Sequence, residues 1–126
     1  MEIIIRNSSD EPIYEQIGRQ IREQIISGRL APGTQLPSIR ILAKDLRISV
    51  ITTKRAYDEL AAAGFVDNVP GKGFFVAEKD MKVVREAKLR EMEEHMMAVV
   101  RICRSCGVSE AEAAALLQQF FEEEDV

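Results

Sequence analysis

Isoleucines stand at positions 13, 17, 21 and 25, and Tyr14 and Ile26 broaden the row. A recurrence of four places such side chains on one face of a helix, so the pattern predicts an amphipathic helix over 12–27. Pro12 suits its first position, where the missing N–H costs nothing, and Gly28 marks its end. Arg29 to Thr34 reads as a turn around Pro32-Gly33. Ser38, following Pro37, is a candidate N-cap for a short helix through Leu46 that turns Leu42, Ala43 and Leu46 inward. After the tight Arg47-Ile48 connection, Ser49 caps a third helix with Ala56, Leu60 and Ala63 on its inner face and Gly64 just past its end. Phe65–Val69 and Phe74–Val76 are short β-type runs around Pro70-Gly71-Lys72-Gly73, the pattern of a hairpin with a glycine-rich tip. Helix, turn, short helix, tight turn, helix, hairpin is the order of a winged helix-turn-helix. Tyr57 and Leu60 belong to its core.

Beyond Asp80 the period changes. Leu89, Met92, Met96, Val99, Cys103 and Cys106 are spaced 3, 4, 3, 4, 3, a heptad-like seam that Gly107 ends. Ser109 and Glu112 form a capping box for a final helix whose apolar side carries Ala113, Leu116, Leu117, Phe120 and Phe121. Two helices of about 25 and 15 residues cannot enclose a core, so they must pack on the first domain, on a second copy, or on both. The expected class is mainly α with a small β-hairpin: a winged helix-turn-helix domain over 1–79 and a helical dimerisation segment over 80–126. The expected dimer interface is Leu89, Met92, Met96, Val99, Cys103, Leu117, Phe120 and Phe121. Met92, Met96 and Met97 read as an adaptable packing surface rather than a ligand pocket.

At 126 residues the chain has room for one domain with an appendage, and a 46% hydrophobic content is ordinary for a globular protein. No run approaches 18 apolar residues, so no membrane span is expected. The N-terminus lacks the basic and long apolar regions of an export signal, and with only two cysteines this points to the reducing cytoplasm. The formal charge of −4 hides an asymmetry: residues 1–79 carry 11 basic against 10 acidic side chains, and residues 80–126 carry 6 against 11. The acid is concentrated in the last third, so the basic residues have to be judged by position. With no Trp and one His, and no Gly-x-Ser-x-Gly, Walker loop or paired carboxylates with a convergent His, neither an enzyme nor a cofactor is expected.

The run LPSIRILAKDLRISVITTKRAYDEL, the hairpin GFVDNVPGKGFFV and the upstream PIYEQIGRQIREQIISGRLAPGTQLPS closely resemble the DNA-binding domain of GntR-type bacterial transcription regulators. The resemblance covers residues 10–77, and the short two-helix tail resembles the YtrA-like branch, which lacks a large ligand-binding domain. It implies a homodimeric, sequence-specific regulator, more often a repressor, acting on an inverted repeat in duplex DNA. Among YtrA-like proteins the regulated genes often encode membrane transporters. The major groove, about 12 Å wide, admits one helix. Candidate contacts are Ser38, the short hydroxyls Ser49, Thr52 and Thr53 for phosphates, and Lys54 or Arg55 for bases or backbone. Arg40 occupies the family's base-contacting position. Gly71 and Gly73 let the wing approach closely, with Lys72 suited to a phosphate or the minor groove. Val50-Ile51 departs from the Arg or Asn that many members carry there, which substitutes apolar contact such as a thymine methyl.

Two rival readings come from other classes. Cys103-Arg-Ser-Cys106 is a C-x-x-C that would centre a thiol-based redox or metal-responsive regulator. A zinc site, however, needs a second pair, and His95 is distant. Both sulfurs lie on the apolar seam, where cysteine behaves as a small hydrophobe. A winged-helix protein-interaction module would use the third helix apolarly; Val50-Ile51 suits it and Lys54-Arg55 does not.

Overall fold

The computed structural model describes residues 1–124 and contains α1 (Ile13–Ile26), α2 (Ile39–Leu46), α3 (Val50–Ala62), β1 (Val66–Val69), β2 (Gly73–Val76), α4 (Lys82–Cys106) and α5 (Glu110–Glu124). The chain divides into two compact units, with the break after Arg85 inside α4. The expected break after Lys79 is earlier, because Met81 still packs against the first unit's core.

In the first unit the isoleucine row does what its period requires. Ile17 and Ile21 are fully buried and Ile25 nearly so, and they meet Leu30, Leu36, Leu42, Ala56, Tyr57, Leu60, Val66, Phe74 and Val76 in one cluster. Both α1 and α2 pack on α3. Ala63, expected on the inner face of α3, is instead its exposed C-cap, one residue beyond the last helical turn. The hairpin pairs Val66 with Val76 and Val69 with Gly73 in antiparallel register. The chain before α2 joins it: Val76 N–H donates to Thr34 O at 2.8 Å and Leu36 N–H to Phe74 O at 2.9 Å.

Tyr57 ties the core to the start of α2. Its ring meets Phe74 edge-on at 4.9 Å, and its hydroxyl donates to Pro37 O at 2.7 Å. Burial pushes the phenol's pKa up, so the donor keeps its proton throughout the physiological range. Tyr57→Phe leaves that carbonyl without its donor and is expected to lower unfolding stability by about 1–3 kcal/mol, measured by denaturant titration. An unchanged midpoint would show that the bond contributes nothing.

The N-terminal segment is held in a way the hydrophobic pattern does not announce. It runs antiparallel to α1, gripped by three glutamines. Gln24 Nε2 donates to Glu2 O, Gln20 exchanges two bonds with the backbone of Ile4, and Gln16 does the same with Arg6. Four helical residues rise about 6 Å, and two extended residues span about 6.6 Å, so an i, i+4 row of amides matches every second backbone unit. Ile3 and Ile5, between the gripped residues, pack against the core.

The second unit is built differently. Gly107 follows α4, Val108 N–H donates to Cys103 O at 2.9 Å, and Ser109 caps α5 by accepting from Glu112 N–H at 3.1 Å. Not one residue of α4 is buried, and among the described residues α4 and α5 share no extended packing face. No helix of the described residues is long and apolar enough to cross a membrane.

Candidate nucleic-acid interface

The connection between α2 and α3 fixes the unit's outward surface. Arg47 adopts a left-handed conformation, φ 57°, the one described non-glycine residue with positive φ. The Arg47 and Ile48 amides then fold back onto Lys44 O and Ala43 O, which ends α2 within one turn. A side chain at a positive φ costs of order 1 kcal/mol relative to glycine, so an arginine here is retained against local preference. Ser49 next starts α3, accepting from Thr52 N–H at 3.0 Å, as Ser38 starts α2 by accepting from Ile41 N–H at 3.2 Å.

With Thr53, Ala56, Tyr57 and Leu60 buried, the helical period leaves Ile51, Lys54, Arg55 and Asp58 on the opposite face of α3. Ile51 is 81% exposed and Val50 48%. Thr53 corrects the sequence expectation. It is fully buried, and its hydroxyl donates to Ser49 O at 3.1 Å, so it is not available to a phosphate. The signal was present, since Thr53 precedes Ala56 by three residues and Leu60 by seven, on the same stripe. Ser49 and Thr52 remain at the surface but bond each other, Oγ to Oγ1 at 2.8 Å.

The expected cations separate into two kinds. Lys54 is paired with Asp58 one turn on. Arg55 stacks 3.7 Å from the centre of the Tyr14 ring, donates to the Tyr14 hydroxyl at 3.1 Å and pairs with Glu59 at 3.4 Å. It clamps α3 to α1, a second departure from the expected reader role. Arg40, on the first turn of α2, and Lys72, at the hairpin tip, are exposed and have no carboxylate partner among the described residues. Lys44 and Arg47 share that condition and were absent from the sequence candidates. Spacing within α2 puts Lys44 one turn beyond Arg40 on the same outer face, which is the signal that would have found it.

The hairpin tip is a tight turn. Lys72 N–H donates to Val69 O at 3.0 Å, with Pro70 and Gly71 in the central positions and Gly71 at φ 78°, the arrangement of a type II turn. Gly73 follows at φ 119°, and a Cβ there would sit 3.2 Å from the Gln35 amide, which donates to Lys72 O at 3.0 Å. Lys72 therefore projects from a backbone held by both its neighbours and Gln35.

Residues 13–76 match the family described as bacterial regulatory proteins, gntR family. The chain belongs to the GntR family. It is 32% identical over 100 residues to the HTH-type transcriptional repressor YtrA of Bacillus subtilis, covering 79% of this chain and 77% of that one. A match of that length extends beyond the winged domain into α4. A GntR family transcriptional regulator from Listeria monocytogenes superposes with TM-score 0.65 at 25% identity, covering 91% of this chain and 98% of that one. The DNA-binding domain of AraR, solved in complex with operator ORX1, gives TM-score 0.54 at 26% identity over 61% of this chain and 96% of that one. The chain is thus a GntR-type DNA-binding transcriptional regulator, and the family is one of regulators, not enzymes.

The remaining candidates lie in the second unit. Met92, Met96, Val99, Leu117, Phe120 and Phe121 are all between 44% and 67% exposed, and Leu89 and Cys103 are half-buried. Met97, Val100 and Ile102 add exposed apolar surface that the seam does not include. Cys103 and Cys106 are free thiols, the latter within 3.2 Å of Ile102 O. Among the described residues no three His, Cys, Asp or Glu side chains converge where a metal ion would fit.

Proposed function

We propose that the protein is a homodimeric cytoplasmic repressor that binds an inverted-repeat operator in duplex DNA. Residues 1–79 bind the DNA and residues 80–126 form the dimer. The observation that carries this reading is that the helix-turn-helix and its wing present exposed cations with no carboxylate partner among the described residues: Arg40 and Lys44 on α2, Arg47 in the turn and Lys72 on the wing. Lysines and arginines whose charge is not spent within the protein gain most by displacing counterions from phosphates. The N-terminal turn of α3, which follows Arg47 in the chain, enters the major groove and meets base edges. Arg40 reaches a base, while Lys44, Arg47 and Lys72 set the register on the backbone. The YtrA relative's description as a repressor and the AraR domain's operator complex support the same role.

The partner is a second copy. A unit with no buried side chain among its described residues, and with methionine, valine, leucine and phenylalanine half exposed, does not hold its shape against water alone. Pairing two such units supplies the missing core and sets two α3 helices one DNA turn apart, about 34 Å, or a multiple of it.

Selection of bound duplexes from a random pool tests this directly. The expected product is an inverted repeat bound at one dimer per site. Its affinity should fall with salt at a slope of about −5 on logarithmic axes, from three backbone cations per protomer. Failure to enrich any sequence, or binding with no salt dependence, would overturn the reading.

A further inference from the structure

Ile51 is the most exposed large hydrophobic side chain among the described residues, at 81%. It sits on the first turn of α3, on the face opposite Thr53, Ala56, Tyr57 and Leu60. Folding gains little from it there, because most of its surface stays in water and a β-branched residue is a weaker helix former than alanine or lysine. Among the polar groups of the same turn, Ser49 donates to Thr52 Oγ1 and Lys54 pairs with Asp58 at the surface. Beside these polar groups the turn offers a ligand an apolar one, Ile51 with Val50 next to it.

We propose that Ile51 reads the 5-methyl group of a thymine in the operator's major groove. The inference rests on the operator-binding reading above and adds the base that α3 selects. A protein-docking surface would be a contiguous apolar patch of several hundred Å². Here the exposed apolar side chains are Val50 and Ile51 on α3 and Ile41 on α2, on elements that also carry Arg40, Lys44 and Arg47, which matches a polyanion carrying apolar points. Of the groups that base pairs present in the major groove, the thymine methyl is the apolar one. Arg40 then supplies the polar reading and Ile51 the apolar one, from adjacent helices.

The test uses the full chain and the duplex it selects from the random pool. Each symmetric thymine pair is replaced in turn by deoxyuridine, which removes the methyl and leaves base pairing intact. At one pair of positions the wild type is expected to lose about fourfold per methyl, hence about 15-fold for the pair, from the transfer free energy of a methyl-sized group. Ile51→Ala should bind the thymine operator more weakly by a similar factor and be indifferent to deoxyuridine at that pair alone. Its thermal midpoint should match wild type, since the side chain is exposed. Indifference of the wild type to deoxyuridine everywhere, on an operator it still selects, overturns the proposal and leaves the operator reading standing. Sensitivity that persists in Ile51→Ala assigns the methyl to another residue and also overturns it. A pool from which nothing is enriched fails the operator reading itself, and this inference with it.

Discussion

Replacing Met96 with glutamate is expected to turn a dimer into monomers and to lower operator affinity by more than about a hundredfold. Met96 lies mid-seam on α4 and is 45% exposed in the single chain, so the charge does not disturb any buried contact within it. In the dimer each copy would carry one unpaired carboxylate into the apolar interface, and leaving a buried charge uncompensated costs about 3 kcal/mol or more. Loss of the dimer removes the second half-site's contribution, because two linked winged domains share one association cost. Sedimentation reads the oligomeric state and mobility shift reads the affinity. A dimer of wild-type tightness in Met96→Glu, or in a chain ending at Lys79, would place the interface elsewhere.

The apolar row along α4 was legible because the 3-4 spacing depends on local helix geometry alone. Its extent was not. Met97, Val100 and Ile102 lie outside the heptad row, and their exposure, on a helix with no buried residue among those described, shows that α4 presents apolar surface over more than one stripe. The helices of the first unit were legible for the same local reasons: Ser38 and Ser49 cap where hydroxyls precede an apolar period, and the isoleucine row turns inward. Features that depend on how helices cross were not. Arg55 looks like a groove reader in the sequence, and becomes a clamp because the crossing of α1 and α3 brings the Tyr14 ring beneath its guanidinium. Gln16, Gln20 and Gln24 look like a polar face, yet Gln16 and Gln24 are buried beneath an N-terminal segment whose bonded backbone lies 10 to 22 residues away in the chain. Arg47 was legible only as part of a tight connection, because the left-handed residue that ends a helix is usually a glycine and nothing in the sequence marks an arginine for it. The cost of its conformation, set against an exposed charge with no partner, is what separates it from an ordinary surface arginine.

Arg40→Ala and Lys72→Ala are expected to weaken operator binding in different ways. Arg40 stands exposed on the first turn of α2 and, among the described residues, has no carboxylate to hold its guanidinium. A guanidinium bonds guanine O6 and N7 together, so its removal should cost about 1–3 kcal/mol per half-site and relax preference at one symmetric pair of positions. Applied to both half-sites, that is the largest loss expected from a single substitution in the winged domain. Lys72 leaves the wing from a backbone fixed by the Val69 turn and by Gln35, and its ammonium acts as a point charge with no geometry to distinguish bases. Lys72→Ala should weaken every sequence alike and reduce the salt slope by about two for the dimer, one for each phosphate that the ammonium no longer neutralises. Competition binding against operator variants at several salt concentrations separates the two roles. If Arg40→Ala lowers affinity for all sequences equally while Lys72→Ala changes base preference, the wing reads the sequence and α2 holds the backbone.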